Sequence, residues 1–345
     1  MAINELKQRI AGYIAVGLLI TLTTIWTYWG VGEAYYEGWW GAWYNRVIYL
    51  IPAAVLLVLT LLGLKWPRKG GWTIIIVGGG IFVWWLVMTD FAVASLLMAF
   101  LLGGLAALVG VLFLLEARRQ QRLHIERWTP SRKWFRRNLY YLIAVGLPLL
   151  VTIAFSVYWL PIVLGRVDDG DRGARLIEGN GVALVWAPAG PSWYEHYYSW
   201  NDIAFYGVPP VGFGEKPVCQ DRNATIEDMN TTGLCCYLSE DSLTIMDEPQ
   251  YIWRMPTIDE IVRSLVRHGE NAGCTWDGKP EQSICQVLPD KETPLWAPDW
   301  SPIYYWAADE YDEHEAYYVS YNGRVNHQPK SWGNQRHGYR FVREP

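Results

Sequence analysis

Hydrophobic residues follow two regimes along the chain. Up to residue 164 they run in blocks near or above the roughly 20 residues a helix needs to cross about 30 Å of hydrocarbon. The blocks cover 10–31, 47–64, 72–89, 91–115 and 139–164 and predict five transmembrane helices, the third and fourth joined as a hairpin at Asp90. The first block is too long for a cleaved signal peptide and lacks an Ala-x-Ala pattern, so it reads as a retained helix. Past residue 164 the blocks stop. Segment 181–187 alternates and is β-branched, and 303–307, 316–321 and 339–342 read as further short strands. The Asn-Gly of Tyr321-Asn-Gly-Arg324 predicts a hairpin turn. Helices are expected over 224–238 and from Thr257, where Thr257 and Glu260 form a capping box ahead of Ile258, Ile261, Val262 and Leu265.

Charge divides at the same point. Residues 1–164 carry fourteen Lys and Arg against six Asp and Glu, whereas 165–345 carry fifteen against twenty-eight. Basic residues gather at Lys7 and Arg9, at Lys65, Arg68 and Lys69, and over 118–137, while the intervening connections hold Glu33, Glu37 and Asp90. The excess of Lys and Arg retained in the cytoplasm then predicts an inner N-terminus and, after five crossings, an external C-terminal half, periplasmic or extracellular. All five cysteines, Cys219, Cys235, Cys236, Cys274 and Cys285, fall in that half, which suits an oxidising compartment. Cys274 and Cys285 can close a short loop, Cys219 can bond Cys235 or Cys236, and one thiol is left over. No zinc spacing accompanies them, and no metal or cofactor is expected.

The spans carry essentially no ionisable residue to relay protons or ions, which argues against a coupled transporter. They do carry small residues: Gly78, Gly79 and Gly80 on the third span, and Gly103, Ala106, Ala107 and Gly110 on the fourth, spaced for close helix packing within the chain. The aromatic first loop, 33–46, is expected at the outer interface. The basic 118–137 connection reads as a topology determinant beside anionic lipid, not as a nucleic-acid site. Residues 165–175, with Asp168, Asp169 and Asp171, read as a solvated linker.

Several strings in the external half resemble one family. Cys235-Cys-Tyr-Leu-Ser-Glu-Asp241, Ile252-Trp-Arg-Met-Pro-Thr-Ile-Asp-Glu260, Tyr304-Tyr-Trp-Ala-Ala-Asp-Glu310, Ala316-Tyr-Tyr-Val-Ser-Tyr-Asn-Gly323 and Gly338-Tyr-Arg-Phe-Val-Arg343 look like the DUF1566 domain, which is similar to the formylglycine-generating (sulfatase-modifying factor) and C-type-lectin-like fold. The resemblance covers residues 176–343. It implies an α+β architecture in which Trp253, Arg254, Pro256, Thr257, Glu260, Gly338 and Arg340 are structural hallmarks. The copper-binding cysteine pair of the formylglycine-generating enzymes is missing, because no cysteine follows Cys285. The iron-binding His-x-x-x-Glu-x-His triad of related enzymes is not reproduced by His268, His314, His327 or His337.

The expected organisation is therefore a five-helix transmembrane bundle over 1–164, a linker over 165–175 and a lectin-like domain over 176–345. The expected function is a non-enzymatic plasma-membrane protein acting as an accessory subunit, an adhesion module or a sensor. Its loops would engage a protein partner in a membrane complex or a glycan through Trp300, Tyr304, Tyr305, Trp306, Asp309, Glu310, Tyr317, Tyr318 and Trp332. The alternative is a membrane-anchored oxidoreductase or protein-modifying enzyme of the formylglycine-generating type.

Overall fold

The structure is a computed structural model that describes residues 2–39, 43–89, 93–123, 134–194, 198–213, 222–279 and 281–345. Asp90, Cys219 and residues 124–133 of the basic 118–137 connection lie outside them. The chain divides into two compact units, Met1–Pro161 and Ile162–Pro345.

The first unit is helical: α1 (Ala2–Tyr36), α2 (Tyr44–Ile48), α3 (Ile51–Lys65), α4 (Pro67–Met88), α5 (Val93–Ala99), α6 (Leu105–Leu123) and α7 (Trp134–Leu164). A π-helical turn, Phe100–Gly104, joins α5 to α6. Among the described residues four stretches are long and apolar enough to cross a membrane: Ile10–Tyr36, Pro67–Met88, Val93–Arg122 and Arg137–Leu164. The second hydrophobic block differs from expectation. It forms the shorter Ile51–Lys65, because Pro52 lacks the N–H that would continue α2 and Pro67 forces Trp66 out of helical geometry at the other end.

Glycines set the spacing of α4 and α6. A Cβ on Gly78 would sit 2.7 Å from the Gly103 carbonyl oxygen, one on Gly103 would meet Phe82 N at 2.4 Å, and one on Gly71 would lie 2.8 Å from the Gly110 oxygen. Gly71, Gly78, Gly103 and Gly110 thus serve contacts between backbones inside the unit, whereas Gly79 and Gly80 face open space. Between α1 and α3, the Thr23 and Thr60 hydroxyls meet at 3.3 Å and each bonds a carbonyl four residues back, so these buried hydroxyls are satisfied. One ionisable group missed by the block pattern is buried near the end of α6: Glu116, held by Arg119 and Gln120.

The second unit is α+β. Strands β1 (Arg175–Gly179) and β2 (Val182–Trp186) pair antiparallel, and β11 (Val342–Arg343) joins β2 on its other side. The hairpin between β1 and β2 turns at Asn180 and Gly181, both with positive φ, an Asn-Gly turn of the kind that favours hairpins. Strand β1 extends the sheet upstream of the expected 181–187 strand. A second sheet has the order β3 (Trp193–Tyr194), β10 (His337–Arg340), β7 (Tyr304–Glu310), β8 (Glu315–Ser320), β9 (Arg324–Pro329) and β6 (Glu281–Gln282). Every pair in it is antiparallel except β10 with β7. A small hairpin, β4 (Val266–Arg267) with β5 (Glu270–Asn271), lies in the long loop, where a disulfide joins Cys274 to Cys285. The Tyr321-Asn-Gly-Arg324 turn connects β8 to β9, with Gly323 at φ +82°.

Three short helices, α8 (Trp200–Ala204), α9 (Ile226–Thr231) and α10 (Ile258–Arg263), each begin with a capping box, Ser199 with Asp202, Thr225 with Asp228 and Thr257 with Glu260. The expected 224–238 helix ends at Thr231 and resumes as a 3₁₀ turn, Leu234–Tyr237, that buries Cys235 and Cys236 as free thiols.

The segment read as a solvated linker is fixed to this unit. Arg166 pairs with Asp290 at 2.8 Å, Val167 O accepts from Thr293 N, and Asp168 and Asp169 bind Arg172 and Arg175. Its carboxylates are thus spent on arginines of their own turn.

The string Trp253–Glu260 works as a clamp. Trp253 Nε1 donates to Ser239 O at 3.0 Å, Arg254 forks onto Glu260 with two bonds of 2.7 Å, and Pro256 O accepts from Ala308 N. Gly338 is packed so tightly that a Cβ would stand 2.9 Å from Pro302. Arg340 is wholly buried. Its guanidinium lies 3.7 Å from the Trp193 ring centroid, and it donates to the carbonyls of Ala187, Pro294 and Leu295. Burial lowers its pKa to about 9, which leaves it charged at neutral pH.

Replacing Arg340 by Met should destabilise the second unit by about 3 kcal/mol or more, since buried carbonyls lose their donor. Arg340→Lys should rescue little, because an ammonium has neither the fork nor the flat face. Urea unfolding followed by tryptophan fluorescence checks this; wild-type stability in the lysine variant would show that charge alone matters.

Candidate functional site

Strand β7 is covered on both faces, and this decides the fate of most sequence-predicted contact residues. On one face Tyr305 stacks on Trp296 with centroids 3.8 Å apart; its hydroxyl accepts from Trp193 Nε1 at 2.8 Å and donates to Leu295 O. On the other, Trp306 is buried and donates to Tyr198 O. Both serve the core, where a ligand has no access. Both residues are expected in or beside ligand-contacting loops, but β7 is central and the strands beside it bring aromatics to both sides.

Around His337 the rings of Tyr304, Trp306, Tyr318 and Trp332 gather with centroids 5.0 to 6.4 Å away. Tyr304 and Tyr318 are half-buried, and Trp332 alone of the nine predicted contact residues is exposed. Tyr317 packs with Trp276 and Tyr311, separately from this group. Trp300 lies in a turn against Trp193 and accepts from Lys291 through its carbonyl.

The two carboxylates act as helix caps. The β7–β8 register shifts between Trp306 and Glu310, which leaves Asp309 without a ladder partner while Glu310 pairs with Ala316. Asp309 then accepts from Ile258 N at 2.7 Å, at the start of α10, and Glu310 accepts from Ile226 N at 3.2 Å, at the start of α9. Burial raises the Asp309 pKa, and Glu310 also pairs with the buried Lys330.

A cavity of the second unit lies elsewhere. Tyr194, Tyr198, Phe213 and Tyr339 form its aromatic wall above Leu234 and Ile245, beside Gly190 and Pro191, and it holds about 270 Å³. Tyr198 and Phe213 stack with centroids 3.6 Å apart, and Tyr206 meets Phe213 edge-on at 5.0 Å. The Tyr339 hydroxyl is committed to Pro191 O. Burial raises the pKa of Tyr198 and, well above its ordinary value, of Tyr339, so the hydroxyls stay neutral donors. None of the described lining residues is charged. A neutral aromatic cavity just under the roughly 300 Å³ of the smallest usual ligand sites has room for one ring, apolar on its face and hydroxylated at its edge. The sequence reading passed over these residues, although Trp193-Tyr-Glu-His-Tyr-Tyr-Ser-Trp200 is as rich in aromatics as the strings it singled out.

Among the described residues no group of three His, Cys, Asp or Glu is arranged to hold a metal. No family model, curated protein or solved structure matches the chain.

His337 offers a test of the core. Asn334 Oδ1 lies 3.1 Å from Nδ1 and the Gln328 amide nitrogen meets Nε2, a pairing that one neutral tautomer satisfies. Burial lowers the imidazole pKa to about 3, whereas unfolded His titrates near 6.5. Between those values only the unfolded chain takes up the proton, so stability is complete above pH 6.5 and falls by about 1.4 kcal/mol per unit as pH drops below it. Urea unfolding from pH 7 to 4 should show this slope in the wild type and lose one proton's share in His337→Gln; an unchanged slope refutes the assignment.

Proposed function

We propose that this chain is a multi-pass plasma-membrane protein presenting its second unit on the external side as a non-enzymatic, lectin-like binding module, in an accessory, adhesive or sensing role. The observation that carries this reading is the neutral aromatic cavity of Tyr194, Tyr198, Phe213 and Tyr339, which suits one sugar ring of a glycan or glycoconjugate and offers no acid, base or nucleophile among its described lining. The family resemblance adds support through residues whose roles in the clamp are structural: Trp253, Arg254, Pro256, Thr257 and Glu260.

The membrane reading draws on four long apolar helices and on the many large hydrophobic side chains they expose, among them Ile76, Val83, Val87, Leu150 and Val157, an amount that water does not tolerate on a folded surface. A fifth crossing by 44–65 is supported by its near-continuous helix, interrupted for a single turn before Pro52. Crossing number fixes the side. Four crossings would return the second unit to the cytoplasmic side of the N-terminus, where a disulfide such as Cys274–Cys285 is out of place, and five put it outside.

Alkaline phosphatase fused after residue 345 should be active in a bacterial host, and activity appearing only in fusions within the 118–137 connection would invert the topology. Purified full-length protein should retain neutral glycans on an array, with Tyr198→Ala weakening them about 10-fold through lost ring stacking. Binding by no neutral glycan, or binding indifferent to Tyr198, would sink the lectin reading.

A further inference from the structure

At one end of the α4 and α6 pair the close glycine packing opens into a second cavity, of about 200 Å³, lined by Arg68, Trp72, Leu114, Ala117, Arg118 and Gln121. Positions 68 and 72 are one turn apart on α4. Positions 114, 118 and 121 follow the same spacing on α6, so each helix contributes one face to the groove. The helices run antiparallel, with Arg68 in the first turn of α4 and Arg118 near the end of α6, so both guanidinium groups reach the same end of the pair. Neither has an acidic partner among the described residues; the adjacent Glu116 is taken by Arg119. Next to the arginines the surface becomes apolar, with Trp72, Ile76, Val111 and Leu115 exposed, and a Cβ at Gly79, two turns beyond Trp72, would meet nothing.

We infer that this groove is a binding site for an anionic phospholipid. Arg68 and Arg118 hold the headgroup phosphate, Gln121 adds a polar contact, Trp72 sits at the glycerol level, and the acyl chains follow α4 and α6 past Ile76 and Val111. Two guanidinium groups without an acidic partner among the described residues, opening onto lipid-facing helix surface, match a negative headgroup with an apolar tail better than a zwitterionic lipid or a soluble polyanion. The inference rests on the reading of α4 and α6 as membrane spans.

Native mass spectrometry of the full-length protein in mild detergent, supplied with equal phosphatidylglycerol and phosphatidylcholine, tests it. One phosphatidylglycerol should be retained in preference, and the Arg68→Gln/Arg118→Gln double variant should lose about 30-fold in its affinity, at roughly 5-fold per basic group. Equal retention of phosphatidylcholine by the wild type overturns the proposal without recourse to any variant. So does undiminished phosphatidylglycerol binding by a double variant that is monodisperse and melts like the wild type. Displacement of the lipid by millimolar inorganic phosphate would assign the site to free phosphate and overturn the lipid assignment. Alkaline carbonate extraction separates the underlying reading: the wild type and the variant should both stay in the membrane pellet, and release of the wild type would remove the spans themselves.

Discussion

The second unit depends on a positive charge that it buries without an opposing carboxylate. Arg340 gives its hydrogen bonds to three main-chain carbonyls and its flat face to Trp193, with Trp186 on a further side. Carbonyl dipoles at Nε and Nη1 and the indole faces take over much of the water a guanidinium would otherwise keep, while Nη2 finds no hydrogen-bond partner among the described residues. The acceptors belong to separate parts of the chain, Ala187 after β2 and Pro294–Leu295 in the long loop, while the arginine sits on β10 between β3 and β7. One side chain therefore ties the three-stranded sheet, the six-stranded sheet and the loop to a common point, and the stacking of Tyr305 on Trp296 lies against it.

The same economy appears in the acidic residues. An acidic domain has carboxylates to spare, and many of them here serve backbone N–H groups or arginines instead of solvent. Asp202, Asp228 and Glu260 close capping boxes, Asp309 and Glu310 reach across from β7 to two helix starts, and Asp290 joins Arg166 to Arg267. Short helices of five or six residues are too short to persist by propensity, so they depend on such caps and on packing. Among the described residues this use of charge leaves the lining of the aromatic cavity uncharged.

Much of the architecture was legible because the signals were local. Block length marks the helices of the first unit, Thr257 with Glu260 marks α10, Asn322-Gly323 marks the β8–β9 turn, and Cys274 with Cys285 lie close enough in sequence to suggest their bond. What escaped the sequence depends on contacts between distant segments. Tyr305 and Trp306 read in the sequence as contact residues in or beside the loops; only the placement of β10 and of Trp296 buries both. The aromatic cavity assembles Tyr194, Phe213 and Tyr339, residues far apart in the chain, and no spacing rule relates them. Proline decided the second hydrophobic block, where composition promised a full span and Pro52 and Pro67 fixed shorter limits.

The place of β10 in the sheet also bears on the order of events during synthesis. Strand β10 is an interior strand, yet it follows β3, β7, β8 and β9 in the chain. Until residues 337–343 emerge, β3 and β7 have an unfilled gap between them and the Ala187 and Pro294 carbonyls lack the donor that Arg340 brings. The unit is thus a keystone arch, unable to close from its first residues onward, and a chain still in synthesis holds it open, with Trp193 and the β7 edge exposed until its last strand arrives.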